Sequence, residues 1–310
     1  VKFVEKALMA LKELWKAKDK ASTEERLRPY LELRWVRTDL EKELKEFSQY
    51  VYHYVARVYI DADELDKAVE YAEKACKMAV EFGDVYYEVS SCGLPPRLKA
   101  VAVKDYTPKS CDPLVEEFEK VWQRASQDVE ELGAEILATA LGNYVVALAS
   151  ASRYDEVEKV LKEWGWVLEL HPDASALTYG VLSLFDDRLL GKAERHLPEQ
   201  IRANLPNLVS EDAVKASAEV TSSFVNLFLL VLVGLAYCKR GKEWGFKLAT
   251  AAARVGSQQF KGGIRGRLFG ELAEALESAT VDNAPEDIRV SKCETDKVLG
   301  AACKLYYYHI

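Results

Sequence analysis

The chain has 310 residues, 49% hydrophobic and 30% charged; that is enough apolar material for a sizeable core, and the composition excludes general disorder. Its 50 acidic residues outnumber its 42 basic ones, and a formal net charge of -8 excludes a protein whose whole surface is a nucleic-acid footprint. The strongest apolar run, Phe224 to Tyr237, falls short of the ~20 residues a membrane-spanning helix needs and reads as a buried helix.

Residues 1–48 read as an N-terminal helical segment. Phe3, Ala7, Leu8, Leu11, Leu14 and Trp15 recur at three- and four-residue spacing on one helix face, and the charges threaded between them leave no uninterrupted apolar stretch for a signal peptide. The sequence begins without Met, which leaves a removed leader open. Leu40, Leu44, Phe47, Val51 and Val55 carry the same periodicity into the first of three self-similar stretches, Tyr50 to Asp84. Residues 85–111 then read as a long insertion. It is broken at Gly93-Leu94-Pro95-Pro96 and Thr107-Pro108 and contains two short runs that alternate with period two, DVYYEV and LKAVAVKDY.

A helix is expected from Asp112 to Leu132, followed by the second self-similar stretch, Ile136 to Pro172, and a helix pair between Asp173 and Asn204. The third stretch runs from Phe228 to Gly256; after the turn at Lys261-Gly262-Gly263 comes a helix from Ile264 to Ala279. Residues 281–310 are a tail whose aromatic end, Tyr306-Tyr307-Tyr308, is expected to pack back on the helices.

The three stretches resemble tetratricopeptide repeats, in which a small residue on the first helix lets the second approach closely while large apolar residues fill the surroundings. In the first, Tyr52 and Val55 stand at large apolar positions, Ala56 at the small one, Tyr59 at an aromatic one, and Ala68 and Ala75 at the small positions of the second helix. In the second, Leu141-Gly142-Asn143, Arg153-Tyr154-Asp155-Glu156 and Leu168 to Pro172 echo the motif in order. In the third, Gly234, Tyr237, Gly241 and Ala253 match, but Phe246 stands where a small residue is expected.

The resemblance implies an all-α fold over residues 49–280, a right-handed α-solenoid of antiparallel helix hairpins. It also implies a protein-interaction scaffold that binds a peptide or helix of a partner in its groove. The groove positions it names are Tyr50, His53, Tyr54 and Arg57 in the first stretch and Thr139 and Asn143 in the second. Asn143 matches an asparagine that some members use to hold a peptide carboxylate; Thr139 stands where those members carry lysine, so that particular activity is not implied. The equivalent positions of the third stretch, Phe228, Val231, Leu232, Leu235 and Cys238, are nearly all apolar, and the protein's own tail is expected to cover them.

For chemistry the sequence offers little. It contains no GxSxG, HExxH, Walker-type or GxGxxG motif. Asp186-Asp187-Arg188 reads as a solvated turn, and His196 as a cation near a helix C-terminus. No catalytic residue, metal ligand or cofactor site is assigned and no enzyme is expected, an unrecognised enzyme being the third-ranked alternative. The second is nucleic-acid or polyanion binding through residues 239–267, where eight basic residues stand against the single acid Glu243. Within that stretch Lys261, Arg265 and Arg267, around Gly262 and Gly263, form the anion-binding candidate.

The expected partner is thus a protein or peptide, or an acidic or polyanionic ligand, with no membrane. The six cysteines show no CxxC spacing and read as buried thiols in a soluble, cytoplasmic protein; the composition, with only two Met, is thermophile-like, and Cys92 with Cys111 or Cys293 with Cys303 are the pairings considered if disulfides form.

Overall fold

A computed structural model describes residues 41–278 and 291–309; the expected helix face from Phe3 to Trp15 and the first part of the tail lie outside them. Among the described residues every regular element is helical. None of these helices is long and apolar enough to cross a membrane. Two compact units are present. The first comprises the described residues up to 102 together with 120–133, and the second comprises 103–119 and the residues from 134 onward.

The first unit opens on a hairpin of α1 (Glu41–Asp61) and α2 (Leu65–Phe82), followed by α3 (Val85–Cys92) and α4 (Leu94–Ala102). The next helix, α5 (Pro108–Gln127), gives its first part to the second unit and its last part to the first. The second unit continues with the hairpin α6 (Ala134–Ser150) and α7 (Tyr154–Leu168), then α8 (Pro172–Leu182) and a run of short helical turns up to Thr221. It ends with the hairpin α9 (Phe224–Lys239) and α10 (Glu243–Gln259), α11 (Ile264–Ser278) and α12 (Asp296–His309).

The three hairpins fall on the three self-similar stretches and share one turn. The second residue of each turn is left-handed: Asp63 at φ 59, Ser152 at φ 61 and Gly241 at φ 77. Its amide donates to the carbonyl three residues back (Ile60, 2.9 Å; Ala149, 3.0 Å; Cys238, 2.9 Å). The following amide donates to the carbonyl five back (Tyr59, 2.9 Å; Leu148, 2.9 Å; Tyr237, 3.0 Å). This Schellman arrangement satisfies the last carbonyls of the first helix and reverses the chain in three residues. Aligning the stretches on the left-handed residue superposes Ala56 on Gly234 and Tyr59 on Tyr237; the second stretch has Val145 and Leu148 there, and its Gly142 meets Thr178 and Tyr306 rather than α7.

The same alignment explains the misfit at Phe246. Phe246 is half-buried, and the close approach is made one residue earlier by Gly245, against Gly234. In α1–α2 the seam is alanine throughout: Ala56, Ala68, Ala72, Ala75 and Ala79 are each 0% exposed. Ala56→Leu or Ala68→Leu is therefore expected to destabilise the protein by about 1–3 kcal/mol through overpacking, read as a lowered urea midpoint; a midpoint equal to the parent's in both variants would refute the seam.

The segment expected as an insertion is itself helical over α3 and α4. Alternation misleads there because Val85 and Val89, and Leu94, Leu98 and Val101, also satisfy helical spacing, and all five are buried. Asp84 caps α3 by accepting from the amides of Tyr86 and Tyr87 at 2.9 and 3.4 Å. Pro95 and Pro96 fall in the first turn of α4, where a missing N–H costs no helical bond.

The apolar run of α9 is the centre of the second unit, with Leu227 through Val233 all 0% exposed. Gly180 lets α8 lie against Leu229 and Leu232, and Phe269 of α11 meets Phe228 edge-on at 6.2 Å. The face expected to be covered by the tail meets α8 and, at Phe228, the Phe269 ring of α11, and the tail reaches it at Cys238 through the bond to Cys293. The tail tyrosines go elsewhere: Tyr306 Oη lies 2.9 Å from Thr178 Oγ1, and Tyr307 stacks on Phe118 at 5.3 Å.

Four of the six cysteines are paired, and neither pairing is one the sequence suggested. Cys76 on α2 bonds Cys92 at the end of α3, and Cys238 near the end of α9 bonds Cys293 in the turn before α12. Cys111 and Cys303 remain as buried thiols. Cys92 is unavailable to Cys111, and Cys293 to Cys303, because each already holds a partner brought to it by helix packing.

Candidate functional site

The second unit carries a cleft of about 630 Å³ between the C-terminal half of α11, the N-terminal half of α12 and the segment Lys104–Thr107. It is lined by the small residues Ala275, Gly300 and Ala301, of which Gly300 is covered by Tyr106. One wall is the ring of Tyr106, packed so tightly on Gly300 that a Cβ there would stand 2.5 Å from the tyrosine Cβ.

Tyr106 is anchored at its far end as well. Its hydroxyl lies 3.8 Å from Cys303 Sγ, which in turn lies 3.6 Å from Ser150 Oγ. Burial raises the tyrosine pKa beyond its ordinary range and pushes the Cys303 thiol up to about 12. Both groups therefore stay protonated near neutrality, and Cys303 acts as a packing residue rather than a nucleophile. At the other end of the wall Thr107 and Ser110 cap each other reciprocally, amide to hydroxyl at 2.9 and 3.1 Å, which secures the entry into α5.

The charges around the cleft divide by element. Glu271 and Glu274 stand on α11; Lys297, Lys304 and Asp296 stand on α12. Glu271 is bonded to Arg267 and lies 4.0 Å from Lys304, so its charge is matched. Among the described residues Lys104, Asp105, Glu274, Asp296 and Lys297 make no ion pair and are exposed.

The groove residues inferred from the resemblance have different surroundings. Tyr50, His53, Tyr54 and Arg57 do share one face of α1, but Tyr50 is engaged by Tyr87 of α3, hydroxyl to hydroxyl at 2.6 Å with the rings edge-on. His53 is held neutral: burial first, then the positive charges of Arg57 and Arg97, lower its pKa to about 4, and its Nδ1 is buried without a hydrogen-bond partner. On α6, Thr139 is half-buried, and Asn143 is 2% exposed with an unpartnered Oδ1, enclosed rather than presented.

The basic stretch 239–267 is not an open cationic field, because acids from elsewhere in the chain reach it. Arg254 pairs with Glu277 and Glu211, Arg240 with Asp187, Lys239 with Glu294, Lys247 with Glu243 and Arg267 with Glu271. Arg265 sits 4.8 Å over the Phe224 ring and 5.8 Å over Tyr308, with a guanidinium nitrogen 3.4 Å from His309 Nδ1. Of the three anion candidates Lys261 and Arg267 are exposed, and Arg267 is held by Glu271. Replacing Lys261, Arg265 and Arg267 together with Ala is therefore expected to cost about 1–3 kcal/mol of stability through the lost ring stacking and stem packing. An unchanged thermal midpoint would contradict this.

His196 also departs from the expected cation: burial lowers its pKa, and its Nε2 lies 3.1 Å from Ser175 Oγ. Asp186 is the turn residue anticipated, capping the Arg188 amide at 3.0 Å and pairing with the Arg188 side chain. Among the described residues no group of three or more His, Cys, Asp or Glu is placed to hold a metal ion.

The cleft itself was not legible in the sequence. Its three segments are far apart along the chain, and each looks ordinary alone; the unpaired Lys104-Asp105 after a short helix is the only local trace. Comparison with known proteins supplies no template: no protein-family model, no curated protein and no solved structure matches the chain.

Proposed function

We propose that this chain is a binding protein built of degenerate, tetratricopeptide-like hairpins of the α-solenoid kind, and that it holds a peptide segment of a partner protein in the cleft between α11, α12 and residues 104–107. The Schellman turn shared by the three hairpins and the small-residue seams of the first and third support the repeat reading. The cleft carries the functional one: its volume lies in the range of ligand sites, and its rim offers unpaired charges to a ligand. The earlier groove positions are weaker candidates, since Tyr50 and Asn143 are engaged or enclosed. The pairing of Lys239, Arg240, Lys247, Arg254 and Arg267 with acids likewise speaks against the polyanion reading.

The test uses a library of fluorescein-labelled ten-residue peptides, followed by anisotropy with the parent and with Ser278→Trp, which places a large side chain in the cleft from an exposed position. Peptides that bind the parent should lose at least about tenfold in affinity to the blocked variant, a change corresponding to about 1.4 kcal/mol. Equal binding by the two proteins would move the site elsewhere, and a library without binders would remove the reading.

A further inference from the structure

We propose that the cleft selects a peptide segment carrying both an acidic and a basic side chain, the base set against α11 and the acid against α12; this rests on the reading of the cleft as a peptide site. Glu274 on α11 and Lys297 on α12 line the cleft from opposite helices without an ion pair among the described residues, and Asp296, beside Lys297, is exposed and unpaired as well. The end of α11 reinforces this polarity: the helix ends at Ser278, so its C-terminal partial negative charge lies on the side of Glu274, while at the start of α12 the N-terminal partial positive charge is set against Asp296 and leaves Lys297 as the cation of that wall.

The remaining charges leave that division standing. Asp296, in the first turn of α12, faces a helix N-terminus that favours a carboxylate, and Glu271 is satisfied by Arg267 and Lys304. On the loop wall Lys104 and Asp105 contribute one charge of each sign. An all-acidic ligand meets Glu274 and Asp105; an all-basic one meets Lys297 and Lys104. An uncharged ligand strips water from all four without replacing it, which is costly. A ligand with one charge of each sign pairs both walls at once, and the short side chains of Ala275 and Ala301 between them leave room for its backbone.

Four fluorescein-labelled ten-residue peptides in an Ala-Gly-Ser background test this, carrying at two positions three residues apart Lys and Glu, two Lys, two Glu or two Gln. The parent protein is expected to bind the mixed peptide about tenfold more tightly than any other, with affinity falling between roughly 50 and 200 mM salt. Glu274→Lys should shift the preference to the two-Glu peptide and Lys297→Glu to the two-Lys peptide. Both substitutions are at exposed positions, and unchanged melting curves confirm that the fold is retained.

Equal binding of all four peptides by the parent, with loss in Ser278→Trp, overturns the charge selection and leaves the peptide cleft. A preference that neither substitution moves also overturns it. No binding of any peptide to the parent overturns both readings.

Discussion

Gly245→Ala is expected to lower stability by about 3 kcal/mol, at the upper end of what overpacking costs. A Cβ at this position would stand 2.5 Å from the Cys238 amide nitrogen, 2.7 Å from the Gly234 carbonyl oxygen and 2.9 Å from the Tyr237 carbonyl carbon. All three are backbone atoms, so no side chain can rotate aside, and α9 and α10 must separate. That separation strips contacts from the most completely buried helix of the second unit. Gly191→Ala serves as the control: it lies in a short helical turn with nothing within 4 Å of a new Cβ, and should stay within about 0.5 kcal/mol of the parent or rise slightly. Urea denaturation of the two variants decides the matter; similar midpoints would mean that the α9–α10 contact is looser than described.

Removal of the Cys238–Cys293 bond is expected to cost about 4 kcal/mol. The bond closes a loop across 55 positions, and loop-closure entropy gives that magnitude for the unfolded chain. The Cys76–Cys92 bond spans only 16 positions and should be worth about 3 kcal/mol by the same reasoning. The larger effect also has the wider structural consequence, because Cys293 ties the turn before α12 to the end of α9, and α12 supplies the lysine-bearing wall of the cleft. Thermal melts of Cys238→Ala/Cys293→Ala and of Cys76→Ala/Cys92→Ala, with and without reductant, give the ranking. A parent melt that reductant leaves unchanged would argue against both bonds. Disulfides persist in oxidising compartments and in the cytosol of hyperthermophiles, so the two bonds bear on the expectation of a cytoplasmic protein.

The sequence by itself determined the helical character and the three hairpins. Both are local properties. Apolar residues three and four apart define a buried helix face, and in the first and third hairpins a small residue seven positions before the left-handed turn residue, Ala56 before Asp63 and Gly234 before Gly241, marks where two helices meet. The period-two readings of DVYYEV and LKAVAVKDY failed for a local reason too: Val85 and Val89 satisfy both periods, and the cap at Asp84 chose the helix.

Only the tertiary structure decided the cysteine partners, the fate of the basic stretch and the place of the cleft. Each depends on which distant segments are brought together. Arg254 is neutralised by Glu211 and Glu277, and Arg265 lies over Phe224, none of which lies in the stretch itself. Lys104, Glu274 and Lys297 become one site because α11, α12 and the loop anchored by Tyr106 converge. Spacing along the chain does not encode that convergence; the packing of small residues, Gly300 against Tyr106 above all, does.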